Sequence, residues 1–140
     1  MKHPFTNGII GITPDGTVEI FCEGTPVQSI HSDGAKPTRF KIILDPTGML
    51  SVERGRGSRT PYFKDVLEAI LEVTNLTDPS NANVFVEKNV AGNKYYCVMI
   101  KRTKYSFGIT KTNGLSFRDK DKVPAFAARA LAETILRESY

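Results

Sequence analysis

Between Lys88 and Lys122 the chain carries nine basic residues (Lys88, Lys94, Lys101, Arg102, Lys104, Lys111, Arg118, Lys120 and Lys122) against two acidic ones, Asp119 and Asp121. Tyr95, Tyr96, Tyr105, Phe107 and Phe117 are interleaved with them. Basic side chains neutralise phosphates, and an aromatic ring on a sheet surface gives an unstacked base a flat partner, so this stretch has the side chains of a single-strand-binding surface. The bland alternative is that the lysines guard strand edges and the rings fill a core. A second candidate is Arg54-Gly55-Arg56-Gly57-Ser58-Arg59. Its glycines let backbone approach an anion and its arginines offer bidentate contacts to phosphate, but it lacks the lysine and spacing of a nucleotide-hydrolysing loop. A flexible basic connector is the competing reading. Lys101-Arg102-Thr103-Lys104 has the same two readings.

Catalytic groupings are scarce. His3 and His31 are the sole imidazoles, and neither neighbours a nucleophile in sequence. No HExxH, GxSxG, phosphate-binding GxxxxGK[ST] or calcium-loop pattern occurs, so the expectation is a protein that is not an enzyme and uses no cofactor and no metal. Cys22 and Cys97 lie far apart, without the spacing of a redox pair or thiolate zinc site, and read as two buried, reduced thiols. The sequon Asn75-Leu76-Thr77 would matter only in a secreted chain.

The elements that must position these residues follow from periodicity. Gly8 to Thr13 and Thr17 to Glu23 flank Pro14-Asp15-Gly16, which predicts a hairpin with Val18, Ile20 and Cys22 on one face. After a loop from Gly24 to Pro37, alternating Phe40, Ile42 and Leu44 lead through Asp45-Pro46-Thr47-Gly48 into Met49 to Glu53, a second hairpin. The period then changes to 3.6, and Phe63, Val66, Leu67, Ile70 and Leu71 predict a helix over 61–74, with Thr60 as its cap. In the second half Asn83 to Lys88, Tyr95 to Arg102, Tyr105 to Lys111 and Leu115 to Arg118 read as four strands, with turns at 90–93, Thr103-Lys104 and Thr112-Asn113-Gly114. A helix from near Asp121 follows, with Pro124 in its first turn and Phe126, Ala127, Ala130, Leu131, Thr134 and Ile135 on one face. Arg129, Glu133 and Arg137 form a stripe that can pair in solvent.

The expected fold is therefore α+β: two ββββα units forming one domain, 1–140, with antiparallel sheets and helices packed on one face. Unit 1 spans about 5–75 and unit 2 about 83–140. At 140 residues, 40% apolar and 24% charged, the chain is long enough for one core without disulfides. It lacks an apolar run of membrane-spanning length and a secretory leader, which predicts a protein of the cytoplasm or nucleus with no membrane partner. Residues 1–70 hold eight basic and eight acidic residues, so the net charge of +4 belongs wholly to the second half.

Phe40 to Val52 (a strand, a Gly turn and a strand), the arginine-rich link, Tyr62-Phe63-Lys64-Asp65-Val66-Leu67, and Gly114-Leu115-Ser116-Phe117 before the helix 123–136 resemble the PUR-repeat proteins. The unit order resembles, more loosely, the whirly and transcription-coactivator single-strand binders. The resemblance implies two intertwined units whose curved sheet meets single-stranded DNA or RNA. The binding candidates are then Arg54, Arg56, Arg59, Lys94, Tyr95, Lys101, Arg102, Lys104, Tyr105, Lys111, Arg118 and Lys120. Two alternatives stand beside this: a small interaction or inhibitor protein docking on another protein, and a small-nucleotide binder at the Arg54 to Arg59 loop. The composition leaves room for a homodimer.

Overall fold

In a computed structural model, residues 6–24, 38–54, 61–74, 83–88, 93–110, 114–116 and 122–139 are described. Residues 25–37 of the expected loop, the connector 55–59 with the Thr60 cap, the segment 76–82 expected to join the two units and the turn residues 90–92 and 112–113 lie outside them, as do His3 and His31.

The first sheet is antiparallel, ordered β1 (Thr6–Ile12), β2 (Val18–Gly24), β3 (Thr38–Leu44), β4 (Met49–Arg54) and β9 (Val123–Pro124). Both expected hairpins form, and each turn is built by its polar residues. The Asp15 carboxylate accepts from the Thr13 hydroxyl and the Thr17 N–H. The Asp45 carboxylate accepts from the Thr47 N–H, the Thr47 hydroxyl and the Met49 N–H. Gly16 and Gly48 take the positive φ these turns require, 91° and 85°. The register aligns Cys22 with Phe40 and Ile20 with Ile42 and Val52, giving one apolar face. That face meets helix α1 (Phe63–Val73), whose Phe63, Val66, Leu67 and Ile70 are buried as the spacing predicts.

The helix starts two residues later than expected and is capped by Tyr62, without a side-chain hydrogen bond. Tyr62 is held extended because it bridges to Gly114, next to the second sheet. Gly24 allows α1 to approach: a Cβ there would lie 3.1 Å from the Asp65 side chain and 3.3 Å from the Phe40 ring.

The second sheet, also antiparallel, is ordered β5 (Val84–Lys88), β6 (Lys94–Ile100), β7 (Thr103–Ile109) and β8 (Leu115–Ser116). Tyr96, Val98, Phe107 and Leu115 are buried on the side that faces helix α2 (Ala125–Ser139). One continuous core joins both sheets and both helices.

Four expectations need correction. The β6–β7 turn is Lys101-Arg102, not Thr103-Lys104, because the ladder runs on to the Ile100–Thr103 pair. Among the described residues the second half has five strands, with β9 added to the expected four. Pro124 lies in β9 opposite Met49 rather than in a helical turn; proline holds the preceding Val123 extended, so the helix begins after it. The buried face of α2 runs through Ala127, Ala128, Leu131, Ala132, Ile135 and Leu136, while Phe126 is 38% exposed. The stripe is turned from the expected one because α2 packs on α1 as well as on the second sheet.

The two halves interlock at both ends of this arrangement. The Ala125 N–H donates to the Gly48 carbonyl at 2.9 Å, and Lys122 Nζ lies 3.1 Å from Asp45 Oδ2. Arg129 does more than pair with Glu133 at 2.8 Å: its Nη1 donates to the Thr74 carbonyl at the end of α1, at 3.3 Å.

The bonds from Thr47 and Met49, with the Lys122 cation, hold the Asp45 carboxyl well below the ordinary aspartate value of 3.8. Its stabilising contribution is complete above that ordinary value and is lost progressively as pH falls from there towards the depressed value of the folded state. Urea unfolding of the wild type and Asp45→Asn between pH 7 and pH 2 is therefore expected to show a gap at neutral pH that holds down to about pH 4 and narrows progressively below it. A constant gap would mean that the Asp45 charge does not hold this junction.

Candidate nucleic-acid interface

Strand parity divides the second sheet cleanly. One side carries Tyr96, Val98, Ile100, Tyr105, Phe107, Ile109 and Leu115 and packs into the core. Tyr105, a binding candidate from sequence, is thus on the helix-facing side, part-buried against the core, and its ring is not on the exposed face. The other side carries Phe85, Tyr95, Cys97, Met99, Lys104, Ser106 and Gly108. Phe85 is 38% exposed and Met99 49%, with Tyr95 half-buried. Phe85 sits opposite Cys97 and is therefore diagonal to both Tyr95 and Met99, a spacing of about 7–8 Å that long side chains bridge.

Lys101 and Arg102 stand at one end of this face, at the tip of the β6–β7 hairpin. Both are exposed, and neither has a partner among the described residues. Lys101 takes φ 57°, a conformation that glycine or asparagine adopts more cheaply, so a charged residue sits there at a cost of about 1–2 kcal/mol. Lys104 follows on β7, and its Nζ is 3.1 Å from Glu87 Oε2, so much of its charge is already answered.

The other candidates are dispersed. Lys94 is at the opposite end of β6, seven residues long or about 20 Å, with Nζ 5.1 Å from the centre of the Tyr96 ring. Arg54 is exposed at the end of β4, in the other sheet, and has interactions of its own. Arg56, Arg59, Lys111, Arg118 and Lys120 lie outside the described residues, as does Phe117. The structure thus brings Lys101, Arg102 and Lys104 together, sets Tyr95 on the same exposed face, and separates Lys94 and Arg54 from them.

Phe85 and Met99 were not singled out in the sequence. The run Val84-Phe85-Val86 has no polar alternation to say which side chain faces out; only its register against Cys97 does. On the outer side of the first sheet the described residues place Lys41 between two carboxylates. Its Nζ is 3.2 Å from Glu19 and 4.0 Å from Glu53, and 5.7 Å from the centre of the Phe21 ring, so its charge is compensated locally.

Both cysteines are free and buried. Burial pushes the Cys22 thiol up to about 12. Burial also raises Cys97, with Glu87 adding to the rise and Lys104 opposing it. Burial thus disfavours the thiolate form of both. Among the described residues no three His, Cys, Asp or Glu side chains cluster as a metal site, and no helix is long and apolar enough to cross a membrane. Comparison with protein-family models, curated proteins and solved structures gave no match.

Proposed function

We propose that this protein binds single-stranded nucleic acid, DNA or RNA, on the outer face of the β5–β8 sheet and the β6–β7 tip, without catalysis. The observation that carries the reading is the placement of two exposed cations, Lys101 and Arg102, without partners among the described residues, beside a face bearing Phe85, Tyr95 and Met99 on which no described helix packs. Phosphates would meet the tip while bases lie on the rings, each stacked base contributing about 1–3 kcal/mol.

The repeat reading belongs to the same proposal. The chain is taken as two ββββα units, β1–β4 with α1 and β5–β8 with α2. Its support is reciprocal: Tyr62, just before α1, bridges to Gly114 ahead of β8, while Val123–Pro124, just before α2, pair with β4. This is the kind of intertwining that the PUR-repeat resemblance implies. A cytoplasmic or nuclear location follows from the ligand proposed.

Fluorescence polarisation with labelled single-stranded oligonucleotides, titrated at several salt concentrations, tests the function. Binding that weakens steeply with salt is expected, and duplex of the same sequence should bind less well because its bases cannot reach the rings. An absence of salt-dependent binding to any single strand sinks the proposal.

A further inference from the structure

Each sheet has two edges, and three of the four are blunted among the described residues. The β1–β2 register shifts between Thr6 and Ile10, an irregularity that spoils a docking template. β9 is two residues long and ends in Pro124, which has no N–H to offer. β8 is also two residues long, and Gly114 beside it is bridged by Tyr62. β5 differs: all five residues pair with β6 in unbroken register, and no described strand lies on its other side. Phe85 projects from one face at 38% exposure and Val86 from the other at 40%. A strand added here must therefore supply apolar side chains on both faces.

β5 itself meets that requirement. We propose that the protein forms a homodimer by antiparallel pairing of β5 with β5 of a second copy, about a two-fold axis through Phe85. In this register Phe85 faces its own counterpart and Val84 faces Val86 on the opposite side, so every apolar residue of the strand meets another. Glu87 falls opposite the exposed Asn83, whose amide can donate to its carboxylate, and no like charges oppose each other. The outer faces of the two copies become one continuous surface of eight strands.

The contact is short and lies below the ~1,200 Å² of a standard interface, so association at micromolar or weaker affinity is expected. Because each copy carries +4, salt should strengthen the dimer, the reverse of its effect on oligonucleotide binding. The proposal does not depend on the functional one.

Sedimentation equilibrium of the full chain from low to near-millimolar concentration reads it directly. The expected result is a reversible rise from 15.5 kDa towards twice that mass, larger at higher salt. Val86→Lys should hold the chain at monomer mass while leaving oligonucleotide binding intact, since Val86 is off the outer face. Phe85→Glu provides a second break should Val86→Lys fail to fold, and circular dichroism reports folding of each. Ile12→Lys, on the β1 edge, should dimerise as the wild type does. A wild type that stays monomeric throughout, or a dimer that survives both β5 substitutions, overturns the proposal.

Discussion

Replacing Lys101 and Arg102 together by glutamate is expected to lower affinity for a single-stranded oligonucleotide at least tenfold. It should also flatten the salt dependence. Each phosphate neutralised on a single strand contributes about 0.7 to the slope of log affinity against log salt, so losing two contacts removes about 1.4. The effect should be large because both cations are exposed and neither has a partner among the described residues, which leaves their charge available at the tip. Lys104→Ala should weaken binding less, since Glu87 already holds that ammonium at 3.1 Å. Lys101→Gly separates charge from backbone: it removes one cation and relieves the φ of 57°, so it should bind less tightly yet be more stable by about 1 kcal/mol. Unchanged affinity and slope in the double glutamate variant would remove the tip from the binding surface.

The largest stability effect is expected at Leu50. It is 1% exposed, pairs with Leu44 on one side and with Val123 on the other, and lies where the second half of the chain joins the first sheet. Leu50→Ala should cost about 2–5 kcal/mol, through lost transfer energy and the cavity left behind. For a chain of this size that is a fall in Tm on the order of 10 °C. Because one core contains residues of both sheets, the loss should appear as a single shifted transition. Far-ultraviolet circular dichroism and tyrosine signals should move together under urea. Two separated transitions would show that the halves fold independently.

Much of the fold was legible because alternation and turn chemistry agreed. Pro14-Asp15-Gly16 and Asp45-Pro46-Thr47-Gly48 sit between alternating runs, and both hairpins formed there. The α1 stripe was equally plain. Where local signals were absent, the reading slipped. Lys101-Arg102-Thr103-Lys104 contains no turn former, and the turn is placed instead by pairs such as Tyr96–Phe107 and Val98–Tyr105, which lie along the ladder rather than in the loop. Val123–Pro124 pairs with β4 from more than seventy residues away, a contact no periodicity encodes. The α2 face depends on a second helix as well as a sheet, and its alanines fit either side.

The site was legible in composition and less so in placement. The basic bias of the second half pointed to Lys101, Arg102 and Lys104. Only the pairing register separates Tyr105, turned inward, from Tyr95, turned outward, and brings Phe85 next to Tyr95.

The reciprocal crossing has a consequence for how this chain can be divided. Tyr62 and Val123–Pro124 are each the last extended residues before a helix; Tyr62 is bridged to Gly114, just ahead of β8, and Val123–Pro124 pair with β4 of the first sheet. A cut between the halves would therefore yield neither of two tidy domains. The amino-terminal fragment would keep β4 with a bare edge, and the carboxy-terminal fragment would keep a Val123–Pro124 segment with nothing to lie against. The fragments would be obligate mates, complete only when recombined. In such a chain the edge of each half is finished by the other, so shortening one half exposes backbone in its mate.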